Sequence, residues 1–254
     1  MGQDHQGPEH LGAVTMRNAT PCIGLVVPPA HGQVPQDGPA LYGERYRFIA
    51  RGLGIGGVSP EGFAPVVDSI VDRAVELRDA GAEVISMMGT SISFYRGPEF
   101  TESLRRAMEE ATGVPCSTMS HAIVRALQRL RITRVAVATS YIDELNDKLA
   151  AYLTHAGFTV TAIEGMAITG VKEVGEVSTE ALVRLSKKVY AQDRSAQGLF
   201  ISCGGLLTLD AIRQLEDDLG LPATASSPAG FWDVVKLGGW DAGSRGFGRL
   251  FEGG

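Results

Sequence analysis

The sequence predicts an α/β protein with parallel sheets, arranged as two similar units that face one cleft. Three observations carry this expectation. Short apolar runs of strand length alternate with helical apolar stripes from residue 23 onward, a pattern of parallel strands joined by right-handed crossovers. Gly198-Leu199-Phe200-Ile201-Ser202-Cys203-Gly204-Gly205 is an apolar run that ends in small residues and two glycines before a helical pattern begins. Ala82-Glu83-Val84-Ile85-Ser86-Met87-Met88-Gly89-Thr90-Ser91 repeats that shape, with Gly89 where Cys203 stands in the later copy. Both runs read as strands buried on two faces, and ligands of open α/β sheets bind at such strand ends. One end offers a thiol, the other offers hydroxyls.

The elements follow in order. Ile23-Gly24-Leu25-Val26-Val27 reads as the first strand and stops at Pro28-Pro29, which cannot continue a ladder. The glycine- and proline-rich stretch from there to Val58 reads as one long loop or flap, with Ile55 and Val58 able to point into the cleft. Gly52, Gly54 and Gly57 fit G-x-G-x-x-G, but no strand is expected to run into them and Ser59-Pro60 intervenes, so a phosphate loop is disfavoured. Ser59 caps a helix with Pro60 at its first position; Val66, Val67, Ile70, Val71, Ala74 and Leu77 form its apolar stripe, and Gly81 ends it. After the Gly89 strand and a loop, a helix spans Pro98 to about Thr112. A domain crossing is expected near Val114–Thr118.

The second half alternates likewise: a helix over His121–Leu130, a strand over Arg134–Ala138, a helix over Ile142–Ala156 and a strand over Phe158–Ile163. The loop Met166–Val171 leads through Val174 to a helix over Ser178–Ala191, then to the Cys203 strand and a helix over Thr208–Leu219. A short strand over Leu221–Ala225 and a last helix over Ser226–Leu237 close the chain. The division expected is an N-terminal extension over 1–20, a first domain of 21–115 plus 226–254, and a second of 116–225.

Composition narrows the function. The 254 residues carry a net charge of −6 with no basic run, which argues against a nucleic-acid partner. No apolar run approaches a membrane span, and residues 1–20 lack the apolar core of a secretory signal and read as a disordered extension. The three cysteines, Cys22, Cys116 and Cys203, have neither disulfide-framework nor zinc spacing and fit a reducing, cytoplasmic compartment. No acid and histidine cluster has metal-ligand spacing. Of the histidines, His5 and His10 fall in the extension, His121 and His155 at helix ends, and His31 alone lies near the cleft as a minor candidate. A thiol at a helix N-terminus feels dipoles that favour thiolate, whereas a proton donor must keep its proton. The two expectations conflict.

The motifs also resemble a known family. Pro28-Pro29, Gly52-Leu53-Gly54, Met88-Gly89-Thr90-Ser91, Ser93-Phe94-Tyr95-Arg96, Tyr141-Ile142-Asp143, Ile168-Thr169-Gly170-Val171, Ser202 to Asp210 and Ser226 to Asp233 are together similar to the bacterial arylmalonate decarboxylases of the aspartate/glutamate racemase superfamily. The resemblance runs from Ile23 to Phe251. It implies two Rossmann-like domains related by a pseudo-two-fold axis with the active site in the cleft between them. It implies a cofactor-free decarboxylation of α-aryl-α-methylmalonates to optically pure (R)-2-arylpropionates. By position it implies Cys203 as the proton donor, with Thr90, Ser91, Tyr141 and the backbone near Ser91 and Gly204 around the retained carboxylate. Ile55, Val58, Val171 and Val174 would surround the leaving carboxylate, and Gly89, Pro28, Pro29 and Gly205 would line the rest. Ile55, Phe63 and Val174 stand where the family has leucine, tyrosine and methionine, which bears on substrate range and rate rather than on the reaction.

The chemistry needs such residues. Loss of CO₂ leaves an electron pair that a remaining carboxylate can hold as an enediolate, and fixed neutral donors stabilise it. An apolar pocket solvates a leaving carboxylate poorly and CO₂ well. Two other readings use the same fold: a two-base racemase or cis–trans isomerase, which needs a second acid–base residue where Gly89 sits, and a non-catalytic small-acid sensor. The expected partner is a small dicarboxylic acid, with no cofactor, no nucleic acid and no membrane, and a monomer as the working expectation.

Overall fold

β1 (Cys22–Val27) is buried along its whole length, as a strand with a parallel neighbour on each side must be. It belongs to a computed structural model that describes residues 20–252; apart from Thr20, the expected N-terminal extension lies outside the described residues. The chain continues through α1 (Asp37–Tyr42), β2 (Arg47–Gly52), α2 (Pro60–Phe63), α3 (Ile70–Asp79), β3 (Val84–Met87), α4 (Thr90–Phe94), α5 (Pro98–Thr112) and β4 (Cys116–Thr118). These strands form a parallel sheet in the order β2-β1-β3-β4.

After α6 (Met119–Arg129) the arrangement recurs. β5 (Arg134–Thr139), α7 (Asp143–His155), β6 (Thr159–Gly165), α8 (Val171–Gly175), α9 (Thr179–Gln192), β7 (Gly198–Ser202), α10 (Leu209–Leu219) and β8 (Ala223–Ala225) follow. They build a second parallel sheet, β6-β5-β7-β8. The last helix, α11 (Ser226–Leu237), leaves β8 as α6 leaves β4. Both sheets therefore share one topology, and β3 and β7 occupy the same interior place in each.

Several elements differ from the sequence reading. The stretch from Pro28 to Val58 contains α1 and β2, and β2 does run directly into Gly52-Leu53-Gly54. β2 escaped notice because it is an edge strand: its apolar run is only Phe48-Ile49-Ala50, bracketed by Arg47 and Arg51, and it is half-exposed. No helix follows until Pro60, so the dinucleotide spacing remains incidental. Gly52 has another reason to be glycine, since a β-carbon there would collide with the carbonyls of Pro29 and Ala30.

The single helix expected from Ser59 to Gly81 is broken. Ser59 does cap α2, its Oγ accepting from Gly62 N–H at 3.3 Å. Pro65 then removes an N–H and crowds the preceding turn, so a 3₁₀ turn over Val67–Ser69 precedes α3. The loop after Met88 holds α4, and α8 lies in what reads as loop after Met166; both are five residues long and too short for a periodic signal. β4 pairs with β3, so Cys116–Thr118 add to the first sheet although the expected crossing falls at 115/116.

Candidate active site

The C-terminal ends of β3 and β7 bring the two strand-end loops together. A β-carbon on Gly204 would lie 3.1 Å from the Met88 carbonyl and 3.8 Å from Thr90 Oγ1, so a bare glycine backbone lets the loops meet. Between β7 and this glycine, Cys203 sits at φ 146°, a backbone region that L side chains avoid. Such residues store roughly 1–3 kcal/mol of strain and cluster at functional sites. The conformation is held from α11, where Ser226 Oγ accepts the Cys203 N–H at 3.3 Å. On the other side, Ser93 fixes α4, donating to the Thr90 carbonyl at 2.8 Å and pairing with Ser120 Oγ of α6 at 2.6 Å.

A cavity of about 290 Å³ opens between the loops. Cys203, Gly204, Gly205, Gly89, Thr90, Ser91, Pro28, Pro29, Ile55, Val58, Val171 and Val174 all border it. The apolar wall is assembled by backbone bonds between distant segments. Val58 N–H donates to the Thr169 carbonyl at 2.8 Å, and Ile55 N–H donates to the Pro28 carbonyl at 3.1 Å. Val174 closes on Gly205, where a β-carbon would come within 3.1 Å of its Cγ1.

Tyr141 alone among the expected site residues does not border the cavity. It is buried one layer behind, where it accepts from Ser202 Oγ at 3.3 Å and its hydroxyl reaches the Thr90 and Ser91 side chains and the Cys203 thiol. Phe94 packs edge-on against its ring, with centroids 6.1 Å apart.

The electrostatics are those of a site without a cation: no lysine or arginine is among the described residues that border the cavity, and its only titratable residues are His31, Asp37 and Cys203. Burial pushes the Cys203 thiol up, against smaller downward pulls from the Ser140 hydroxyl, Gly205 N–H and the Tyr141 hydroxyl. The following helix begins only at Leu209, so the thiol does not sit at a helix N-terminus as expected; desolvation dominates and favours the protonated form. Thr90 is 2% exposed, and its Oγ1 has no close partner beyond the neighbouring Tyr141 hydroxyl. It has a donor to spare for an anion in the cavity. The first N–H groups of α4, from Thr90 to Ile92, have no intrahelical acceptor. A neutral acid and neutral donors in a cavity that no lysine or arginine borders can stabilise a developing carboxylate-centred anion and protonate a carbon.

Other residues at this site went unread in the sequence. Asp37 and Gln36 border the cavity at the start of α1, and Ser227 borders it from α11. Asp37-Gly38 looks like an ordinary turn dipeptide, and its burial depends on a helix that the sequence pattern does not announce. Ser140, beside the thiol, was visible only as the end of a strand. His31 does border the cavity but is exposed, its Nδ1 accepting from Gln33 N–H at 3.2 Å.

The arylmalonate decarboxylase family profile matches residues 23–251. The chain is 50% identical over 235 residues to the arylmalonate decarboxylase of Bordetella bronchiseptica, covering 92% of this chain and 98% of that one. It is 28% identical over 240 residues to the maleate isomerase of Nocardia farcinica, covering 91% and 95%. Among solved structures, a liganded arylmalonate decarboxylase carrying a glycine-to-cysteine and a cysteine-to-serine substitution superposes with a TM-score of 0.90 at 50% identity, covering 92% of this chain and 99% of that one.

Proposed function

The chain belongs to the arylmalonate decarboxylase family, and from that premise we propose that its cleft decarboxylates α-aryl malonates, through an enediolate that Cys203 protonates on one face. The observation that carries the reading is a buried thiol, its pKa pushed up by burial, in the same cavity as the Thr90 and Ser91 donors, with no lysine or arginine on its wall.

The bond between the α-carbon and one carboxylate breaks. Its electron pair passes to the α-carbon and into the retained carboxylate as an enediolate, and CO₂ departs. Thr90, Ser91 and the backbone N–H groups of Ser91 and Gly204 donate to the enediolate oxygens. One such donor contributes about 3–4 kcal/mol to a transition state in a comparable site. Tyr141, behind them, is a positioning residue that orients the two hydroxyls and the thiol. The departing carboxylate lies against Ile55, Val58, Val171 and Val174, where its charge is poorly solvated and neutral CO₂ is not penalised. Cys203 Sγ then gives its proton to the α-carbon, and solvent restores the thiol. The chain's own groups supply every step, so no cofactor is required.

The two sheets with their helices serve as the domains that flank this cleft, and the partner is a small dicarboxylic acid. No helix among the described residues is long and apolar enough to cross a membrane. The test is incubation with phenylmalonate without any added cofactor, following CO₂ release and proton uptake. Stoichiometric phenylacetate is expected. A protein that binds phenylmalonate and releases no CO₂ is a sensor rather than a decarboxylase.

A further inference from the structure

The mechanism leaves one buried polar pair in the cavity wall unused. Asp37 is 5% exposed, and its Oδ2 completes no hydrogen bond. Ser227 is 2% exposed, and its hydroxyl is the neighbour that pulls the Asp37 carboxyl down, at a geometry looser than a full hydrogen bond, so the carboxyl keeps acceptor capacity to spare. Both residues border the cavity. They are held together by the packing of α1 on α11: a β-carbon on Gly38 would come within 2.6 Å of Phe231 Cζ, so only glycine lets the helices approach this closely. Ser227 directly follows Ser226, which anchors the Cys203 backbone, so the start of α11 serves both the thiol and the pair.

Buried polar atoms are normally partnered, and each exception calls for an explanation. A carboxyl does not suit either carboxylate of a malonate, since like charges repel. It suits a hydrogen-bond donor, which in an arylmalonate can come only from the aryl group. The apolar part of the wall, Ile55, Val58, Val171 and Val174, offers no acceptor side chain.

We infer that Asp37 and Ser227 form a subsite for a hydrogen-bond donor on the aryl ring, a phenol hydroxyl or a ring N–H, and so select among arylmalonates. The inference rests on the decarboxylase reading given above. A ring hydroxyl also changes carbanion stability by an amount that depends on its position, opposing it from ortho and para, so binding rather than turnover is the clean readout.

The experiment measures inhibition of phenylmalonate turnover by phenylacetate and by its ortho, meta and para hydroxy derivatives. The full chain is compared with Asp37→Leu and Ser227→Ala. In the unsubstituted chain one hydroxy isomer should bind about 10-fold more tightly than phenylacetate, the gain of a hydrogen bond to a charged or strongly polar group. That ratio should fall to one or below in Asp37→Leu and by several-fold in Ser227→Ala. Should Asp37→Leu fail to fold, Ser227→Ala, a one-atom truncation, decides the matter. No preference among the four ligands in the unsubstituted chain, or a preference that survives the substitutions, overturns the subsite. Absence of phenylmalonate turnover in the unsubstituted chain would instead overturn the decarboxylase reading.

Discussion

Ser202 donates its hydroxyl to the Tyr141 phenol at 3.3 Å, which ties the last residue of β7 to a ring that Phe94 clamps from the other half of the molecule. Cys203 follows immediately in its strained conformation. Tyr141→Phe keeps the ring contact and removes the hydroxyl that reaches Thr90, Ser91 and the thiol. The expected result is a loss of roughly 10–100-fold in kcat with KM little changed, because the lost interaction matters in the transition state. Stability should fall by about 1 kcal/mol, the cost of an unmade buried hydrogen bond. Steady-state kinetics and a thermal melt of one preparation check both. Unchanged kcat would remove Tyr141 from the site.

The strain at Cys203 predicts an inverted stability order. At an ordinary position glycine is less stable than alanine by about 0.5–1 kcal/mol. At φ 146° any β-carbon is unfavourable, so Cys203→Gly should melt above Cys203→Ala, by about 1 kcal/mol in stability. Both variants should lack activity. Calorimetry of the two proteins decides it, and the ordinary order would mean that the backbone is not strained there.

Asp37 predicts a pH-dependent stability. Burial pushes its carboxyl up to about 6, above the ~3.9 of an unfolded chain. The folded state thus holds this proton more tightly, and its contribution to stability is full below about pH 4 and lost as pH rises through about 6. Asp37→Asn has no such loss. The melting temperature of Asp37→Asn relative to the parent should therefore rise between pH 4.5 and 7.5, by several degrees for about 2 kcal/mol. A pH-independent difference would mean that the carboxyl titrates normally.

Exhaustive dialysis against a strong chelator should leave phenylmalonate turnover unchanged. A marked loss that a divalent metal restores would contradict a reaction run by neutral donors and a thiol alone.

The alternating pattern of the chain made the parallel α/β architecture legible, because interior strands such as β3 and β7 are mostly apolar and buried throughout. The strand-end residues that border the cavity were legible for the same reason: such ends are where small residues and glycines gather. Edge strand β2 and three-residue β4 were not, since neither buries enough apolar surface to leave a signal. The protonation of Cys203 was equally hidden. Its local sequence suggests a dipole-activated thiolate, whereas the next helix begins only at Leu209 and tertiary burial pushes the thiol up. Asp37 and Ser227 meet across 190 positions of chain, a contact that no local pattern contains.

Handedness tests the central claim, a single proton donor on one face of a planar enediolate. Gly89 holds the equivalent place on the other strand end and borders the same cavity. A β-carbon there would meet Ile92 Cγ2 at 2.5 Å, Met87 Cε at 2.7 Å and Pro28 Cγ at 3.0 Å; the Met87 end can move away but the β-branched Ile92 and the proline ring are stiff, so Gly89→Cys should cost about 1–3 kcal/mol of stability through overpacking. Cys203→Ser alone should slow turnover by about 10²–10⁴-fold, as loss of a general acid does. The decisive measurement is chiral chromatography of the 2-phenylpropionate formed from α-methyl-α-phenylmalonate by the parent and by Gly89→Cys/Cys203→Ser. The parent should give one enantiomer, the (R) form, and the double variant should slowly give the other. The original enantiomer from the double variant would contradict a proton delivered by Cys203 across a cleft that Gly89 faces.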